Sequence, residues 1–175
     1  MKKKFAQKDG YILIEALIYI NTVFMISMLL SLLIFFSVKI YRDTMIINEL
    51  KEIAIVVEDR IKYDIKQSIS LNSFNVDNSS VGNKKFLDVG YKKIKVLYYN
   101  SYDPKNLGHV CKKKLTNYNN TISIGIKGQY QIGNHVKAMY IKEIRDKYEN
   151  VYELSFIIVY ENEKREYSSH FDAYF

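Results

Sequence analysis

From Tyr11 to Val38 the chain reads YILIEALIYINTVFMISMLLSLLIFFSV, 28 residues with no Lys, Arg, Gly or Pro and with Glu15 as the one ionisable carboxyl. Nothing else in the sequence restricts the fold as much. At about 1.5 Å per residue a helix of this length reaches roughly 42 Å, more than the roughly 30 Å hydrocarbon core of a bilayer, so it can cross a membrane with some tilt. A carboxylate within such a span is costly, up to about 2.5–3.5 kcal/mol at its centre even on mild insertion scales, so Glu15 calls for a partner or a purpose.

The flanks give an orientation. Lys2, Lys3, Lys4 and Lys8 precede the span, whereas Lys39 and Arg42 follow it among Asp43, Glu49 and Glu52. The denser basic cluster keeps the N-terminus in the cytoplasm and places the rest outside. Removing residues 1–10 would take four lysines and one aspartate, lowering the side-chain charge from +7 to +4. Much of the basicity therefore belongs to the leader, which weakens an inference from net charge to a nucleic-acid partner. The lone thiol, Cys111, can form no intrachain disulfide, so an exported part must hold together by core and sheet.

Beyond Val38 the apolar pattern narrows to one stripe, Ile46, Leu50, Ile53, Val57, Ile61 and Ile65, at helical spacing. Lys51, Glu52, Glu58, Asp59, Lys62 and Lys66 take the other side, with Glu58 and Lys62 an i,i+4 pair in the favourable order. A single helix over about 12–69 is expected, roughly 85 Å long, apolar all round in its first half and amphipathic over 39–70. The stretch SISLNSFNVDNSSVGN, residues 68–83, loses the period and gains Ser and Asn, and reads as the helix exit and a loop.

From there the grammar is that of β-structure. KKIKVLYY (92–99), TISIGI (121–126), HVKAMYIKEI (135–144), VYELSFIIVY (151–160) and REYSSHFDAYF (165–175) are short, rich in Ile, Val, Tyr and Phe, and bounded by turn residues. Tyr152, Leu154, Phe156, Ile158 and Tyr160 alternate with Glu153, Ser155, Ile157 and Val159, and ENEK at 161–164 reads as a hairpin connection. The expected fold is α+β: a long N-terminal helix whose amphipathic half packs on an antiparallel sheet head over 71–175.

KKKFAQKDG followed by YILIEALIYI resembles the N-terminal processing signal of type IV pilins and pseudopilins. The resemblance implies cleavage by a prepilin peptidase between Gly10 and Tyr11, N-methylation of Tyr11, and an assembly role for Glu15 against the N-terminal amine of a neighbouring subunit. Glycine at the cut lets a peptidase approach the backbone closely. Pairing of amine and carboxylate would neutralise both charges inside an apolar bundle, the condition under which buried charge is tolerable. Tyr11 stands where Phe is commoner in the family, and Ile12 where Thr is frequent. The absence of Gly and Pro between Gly10 and Gly82, and of a disulfide loop, implies a minor pilin or pseudopilin rather than a principal fibre subunit.

The partners implied are the peptidase, other pilin or pseudopilin subunits, a membrane platform protein and the lipid bilayer, in a pilus, competence or secretion machine. No cofactor, metal site or catalytic set is expected. His109 and Cys111 lie beside Lys112, Lys113 and Lys114 without a further catalytic element, and His135 and His170 lack clustered ligands. The basic groups at 84–85, 92–95 and 112–114 fall among Tyr98, Tyr99, Tyr102 and Tyr118, a mixture able to hold single-stranded DNA or to be a solvated sheet face. NSS at 78–80 and NNT at 119–121 match glycosylation acceptors only formally. The competing reading is a signal-anchored extracellular binding domain that never polymerises. An ordinary cleaved signal peptide fits less well, because the apolar run is too long and contains Glu15.

Overall fold

The computed structural model describes residues 3–77, 83–103, 108–127, 130–145 and 152–175. One helix, α1, runs over Lys3–Lys66. The chain divides into two compact units, Met1–Thr44 and Met45–Phe175. The first is helical. Among its described residues the second holds the end of α1, a one-turn helix and eight strands, all antiparallel, so the fold is α+β with the sheet curved as a half-barrel.

In the second unit four of the six residues of the stripe predicted from helical spacing, Leu50, Val57, Ile61 and Ile65, are buried, and Ile46 and Ile53 are half-buried. Leu50, Ala54, Val57, Ile61 and Ile65 of α1 are 0–2% exposed, and Ile53 packs at their margin. They meet the inner face of the sheet, including Leu97 and Tyr99, Leu115, Ile122 and Ile124, Met139 and Ile141, and Leu154, Phe156, Ile158 and Tyr160. Each fully buried Leu, Ile or Phe contributes about 1.5–3 kcal/mol against exposure, so this contact holds the unit together.

The helix ends at Lys66, where a basic residue suits the negative end of the helix dipole. Ser101 Oγ donates to the Gln67 carbonyl at 3.4 Å. The next residues correct the sequence expectation. Ser68–Val76, read above as helix exit and loop, is strand β1. It pairs with β2 (Lys92–Tyr102) from Ser68↔Ser101 to Val76↔Ile94 with three register shifts. Its Ser and Asn do not favour a strand, but β2 supplies an edge, and Leu71 and Phe74 turn toward the core.

A single-turn helix, α2 (Lys84–Leu87), follows, with Asn83 Oδ1 accepting from the Lys85 amide at 3.1 Å. The remaining strands are β3 (Val110–Tyr118), β4 (Thr121–Gly125), β5 (Tyr130–Gly133), β6 (Val136–Arg145), β7 (Tyr152–Asn162) and β8 (Arg165–Tyr174). β2 links two groups: Lys92–Ile94 pairs with β6, and Val96–Tyr102 pairs with β3, giving the order β5-β4-β3-β2-β6-β7-β8. β3 and β5 were not expected from sequence, because Lys112–Lys114 and Gln131 make poor strand signals.

Two hairpins turn on two residues each. Asn119 and Asn120 join β3 to β4, and Glu163 and Lys164 join β7 to β8, all with positive φ. That is the conformation whose twist matches paired strands. The second turn lies within the expected ENEK connection, with the strands extending to Asn162 and from Arg165.

Candidate membrane and processing segment

Gly10 lies within α1, and the described helix from Tyr11 onward is long and apolar enough to cross a membrane. Every residue from Tyr11 to Tyr41 is exposed, including Leu13, Phe24, Leu30 and Phe35. An apolar surface of this size is not left in water; lipid or other apolar helices must cover it. Three hydroxyls are satisfied along the helix, with Thr22 Oγ1, Ser31 Oγ and Thr44 Oγ1 donating to the carbonyls four residues earlier at 2.8–2.9 Å. Such bonds let Ser and Thr sit in hydrocarbon without an orphan donor.

Tyr11 and Glu15 stand four residues apart on α1 and so share a face near its start. Both are exposed, and among the described residues no group of the chain pairs with the Glu15 carboxylate. The leader side chains and the NSS tripeptide at 78–80 lie outside the described residues.

The other residues singled out in the sequence separate by face. The KKK run splits by strand alternation. Lys113 turns inward to Asp64 Oδ1 of α1 at 3.1 Å, while Lys112 and Lys114 face out. Tyr99, the register partner of Lys113, is fully buried and donates its hydroxyl to Asp64 Oδ2. Burial, then the bond to Asp64, pushes the Tyr99 phenol well above the ordinary tyrosine range. Lys93 and Lys95 reach Asp77 at 3.4 and 3.0 Å. Cys111 is half-buried on β3 and unbridged, and His109 just precedes that strand.

The structure also groups residues that are far apart in sequence. On the outer face, His170 Nε2 lies 2.8 Å from Ser155 Oγ and 3.2 Å from the Tyr91 hydroxyl, which is itself 3.1 Å from Ser155 Oγ. Asp172 Oδ1 stands 3.9 Å from the same ring nitrogen. A Ser-His-Asp relay uses the two imidazole nitrogens separately, whereas here every partner converges on one. Ser155 is only 2% exposed as well, so a substrate could not reach its hydroxyl. The cluster is a clasp that ties Tyr91 to β7 and β8. No sequence signal marked it, since its members stand 15 to 79 residues apart.

Two surface depressions are shallow and chemically mixed. One, about 310 Å³, is lined by Phe74, Gly90, Lys92, Ile141, Lys142 and Glu143. The other, about 280 Å³, lies along Asn83, Lys137, Tyr140 and Glu166. Among the described residues no three His, Cys, Asp or Glu side chains gather as a metal site. No protein-family model, curated protein or solved structure matches the chain.

Proposed function

We propose that the chain is a prepilin-like structural subunit, cleaved by a prepilin peptidase after Gly10 and drawn through its apolar helix into a type IV pilus, competence or secretion-type filament as a minor component. One observation carries this reading: among the described residues the apolar helical surface from Tyr11 to Tyr41 is uncovered and holds a single carboxylate, Glu15, with no partner. Membrane anchoring accounts for the apolar surface but leaves Glu15 an unrelieved cost. Assembly accounts for both, because a neighbour's Tyr11 amine would neutralise Glu15 while neighbouring helices cover the apolar residues.

In this reading the basic leader keeps the N-terminus in the cytoplasm until processing, and Met45–Phe175 lies outside the cytoplasmic membrane and then on the filament. The chain acts by packing rather than by chemistry and is the substrate of the peptidase and of a methylating enzyme. The test is Glu15→Ala in cells that express the assembly machine. The variant should be cleaved about as well as the wild type yet be depleted at least tenfold from sheared filaments. Normal incorporation would remove the assembly role of the carboxylate, and absence of the wild-type chain itself from sheared filaments would make a permanent anchor the better reading.

A further inference from the structure

Charge is divided sharply within the sheet. Strands β1 to β5 contain no Asp or Glu, whereas β6, β7 and β8 carry Glu143, Glu153, Glu161, Glu166 and Asp172. β2 and β3 together carry Lys92, Lys93, Lys95, Lys112, Lys113 and Lys114. Asp77 engages Lys93 and Lys95, Asp64 engages Lys113, and Lys92 lies over the Phe74 ring. Lys112 and Lys114 are left on the outer face.

Strand alternation places aromatic rings on that same face. With Leu97, Tyr99 and Leu115 inside, Tyr98, Asn100 and Tyr102 of β2 and Lys112, Lys114, Thr116 and Tyr118 of β3 point outward. The register sets Tyr98 opposite Lys114 and Asn100 opposite Lys112, and Lys112 Nζ lies 4.8 Å from the centre of the Tyr98 ring. Tyr102 and Tyr118 are 58% and 74% exposed and close the two ends of a track about 27 Å long at 3.4 Å per residue. Amides complete the surface: Asn72 Nδ2 donates to Asn100 Oδ1 at 2.9 Å, and Asn100 Nδ2 donates to Ser70 Oγ at 3.1 Å.

The other half of the outer face is covered by the chain itself. Phe86 and Tyr91 pack on Ala138, Tyr140, Ile157 and Val159. Among the described residues nothing comparable covers Tyr98, Tyr102 and Tyr118.

We infer that the outer face of β2 and β3 is a binding track for single-stranded DNA, with Lys112 and Lys114 contacting phosphates and Tyr98, Tyr102 and Tyr118 stacking on bases. Two strands without a carboxylate, with lysines in the middle of their outer face and tyrosines at both ends, match a chain of phosphates bearing flat rings. Lysines alone would suit any polyanion, and the exposed tyrosines add flat faces on which bases can stack. The inference is independent of how Gly10 and Tyr11 are processed.

The test uses the full chain in lipid nanodiscs and a fluorescein-labelled 20-nucleotide single strand, with anisotropy read across a salt series. Lys112→Gln with Lys114→Gln should weaken binding at least tenfold and reduce the salt slope by about 1.4, the value for two contacts on a single strand. Tyr102→Ala and Tyr118→Ala should each weaken binding about 5- to 100-fold without changing that slope. Lys84→Gln with Lys85→Gln, an equal charge loss on α2, should change affinity less than twofold, and polyphosphate should compete at least tenfold less well than unlabelled strand. Absent binding, equal loss in the two lysine pairs, unchanged affinity in the tyrosine variants, or equal competition by polyphosphate would each overturn the inference.

Discussion

The backbone of Gly133 in β5 lies so close to Val57 of α1 that a methyl group at position 133 would overlap Val57 Cγ2 and sit 3.3 Å from Ile122 Cγ2. Glycine is required here for room rather than for an unusual backbone angle. β5 is a four-residue edge strand, and this contact holds it against the helix. Gly133→Ala should therefore destabilise by about 1–3 kcal/mol, as overpacking does. Combining it with Val57→Ala should cost less than the sum of the two single changes by more than about 0.5 kcal/mol. Thermal unfolding of the full chain in detergent checks this, and simple additivity would contradict the contact.

Asp64 and Lys113 form a second tie between α1 and the sheet, nearly out of water, with side chains 9% and 12% exposed. Lys113→Met should cost about 3–5 kcal/mol, because it leaves a buried carboxylate without its cation. Lys112→Met, one residue away on the opposite face, should change stability by no more than about 0.5 kcal/mol. Similar losses in the two variants would mean that the alternation of the KKK run is wrong.

Tyr99 makes the same tie sensitive to alkali. Its phenol is held above the ordinary value near 10 by burial and by the bond to Asp64, so the folded state keeps a proton that the unfolded chain releases. Its contribution is complete below pH 10 and is lost as pH rises above that value. In Tyr99→Phe the fall in stability above pH 10 should be shallower than in the wild type by up to about 1.4 kcal/mol per pH unit. Unfolding followed between pH 8 and 11.5 checks it, and parallel curves would count against the assignment.

Glu163 and Lys164 hold φ values of 45° and 67° between β7 and β8, a conformation that suits Asn and Gly far better. Replacing them with Asn-Gly should stabilise the chain by about 0.5–2 kcal/mol, because the side chains no longer oppose the turn. A lower melting temperature in this variant would mean that contacts of the native pair outweigh the backbone cost.

What the sequence reveals follows the range of the forces involved. The stripe from Leu50 to Ile65 and the alternation from Leu154 to Tyr160 are legible because each is a local period facing one core. β1 is not, since Ser68–Val76 is extended only because β2 offers it an edge. β3 hides behind three lysines, and the reason the middle one is acceptable there, Asp64, lies 49 residues away. The Tyr91, Ser155 and His170 clasp is invisible for the same reason. By contrast, the helical character of the segment holding Gly10, Tyr11 and Glu15, and the exposure of its residues from Tyr11 onward, depend on its own composition and on little else.

The N-terminus of the membrane-bound protein reports most directly on whether that segment is processed. After co-expression with a prepilin peptidase, mass spectrometry should find a chain that begins at Tyr11 and carries one added methyl group on its amine. Gly10→Val should retain the leader. A wild-type chain recovered with residues 1–10 intact, under conditions in which a control prepilin is cleaved, would contradict the account.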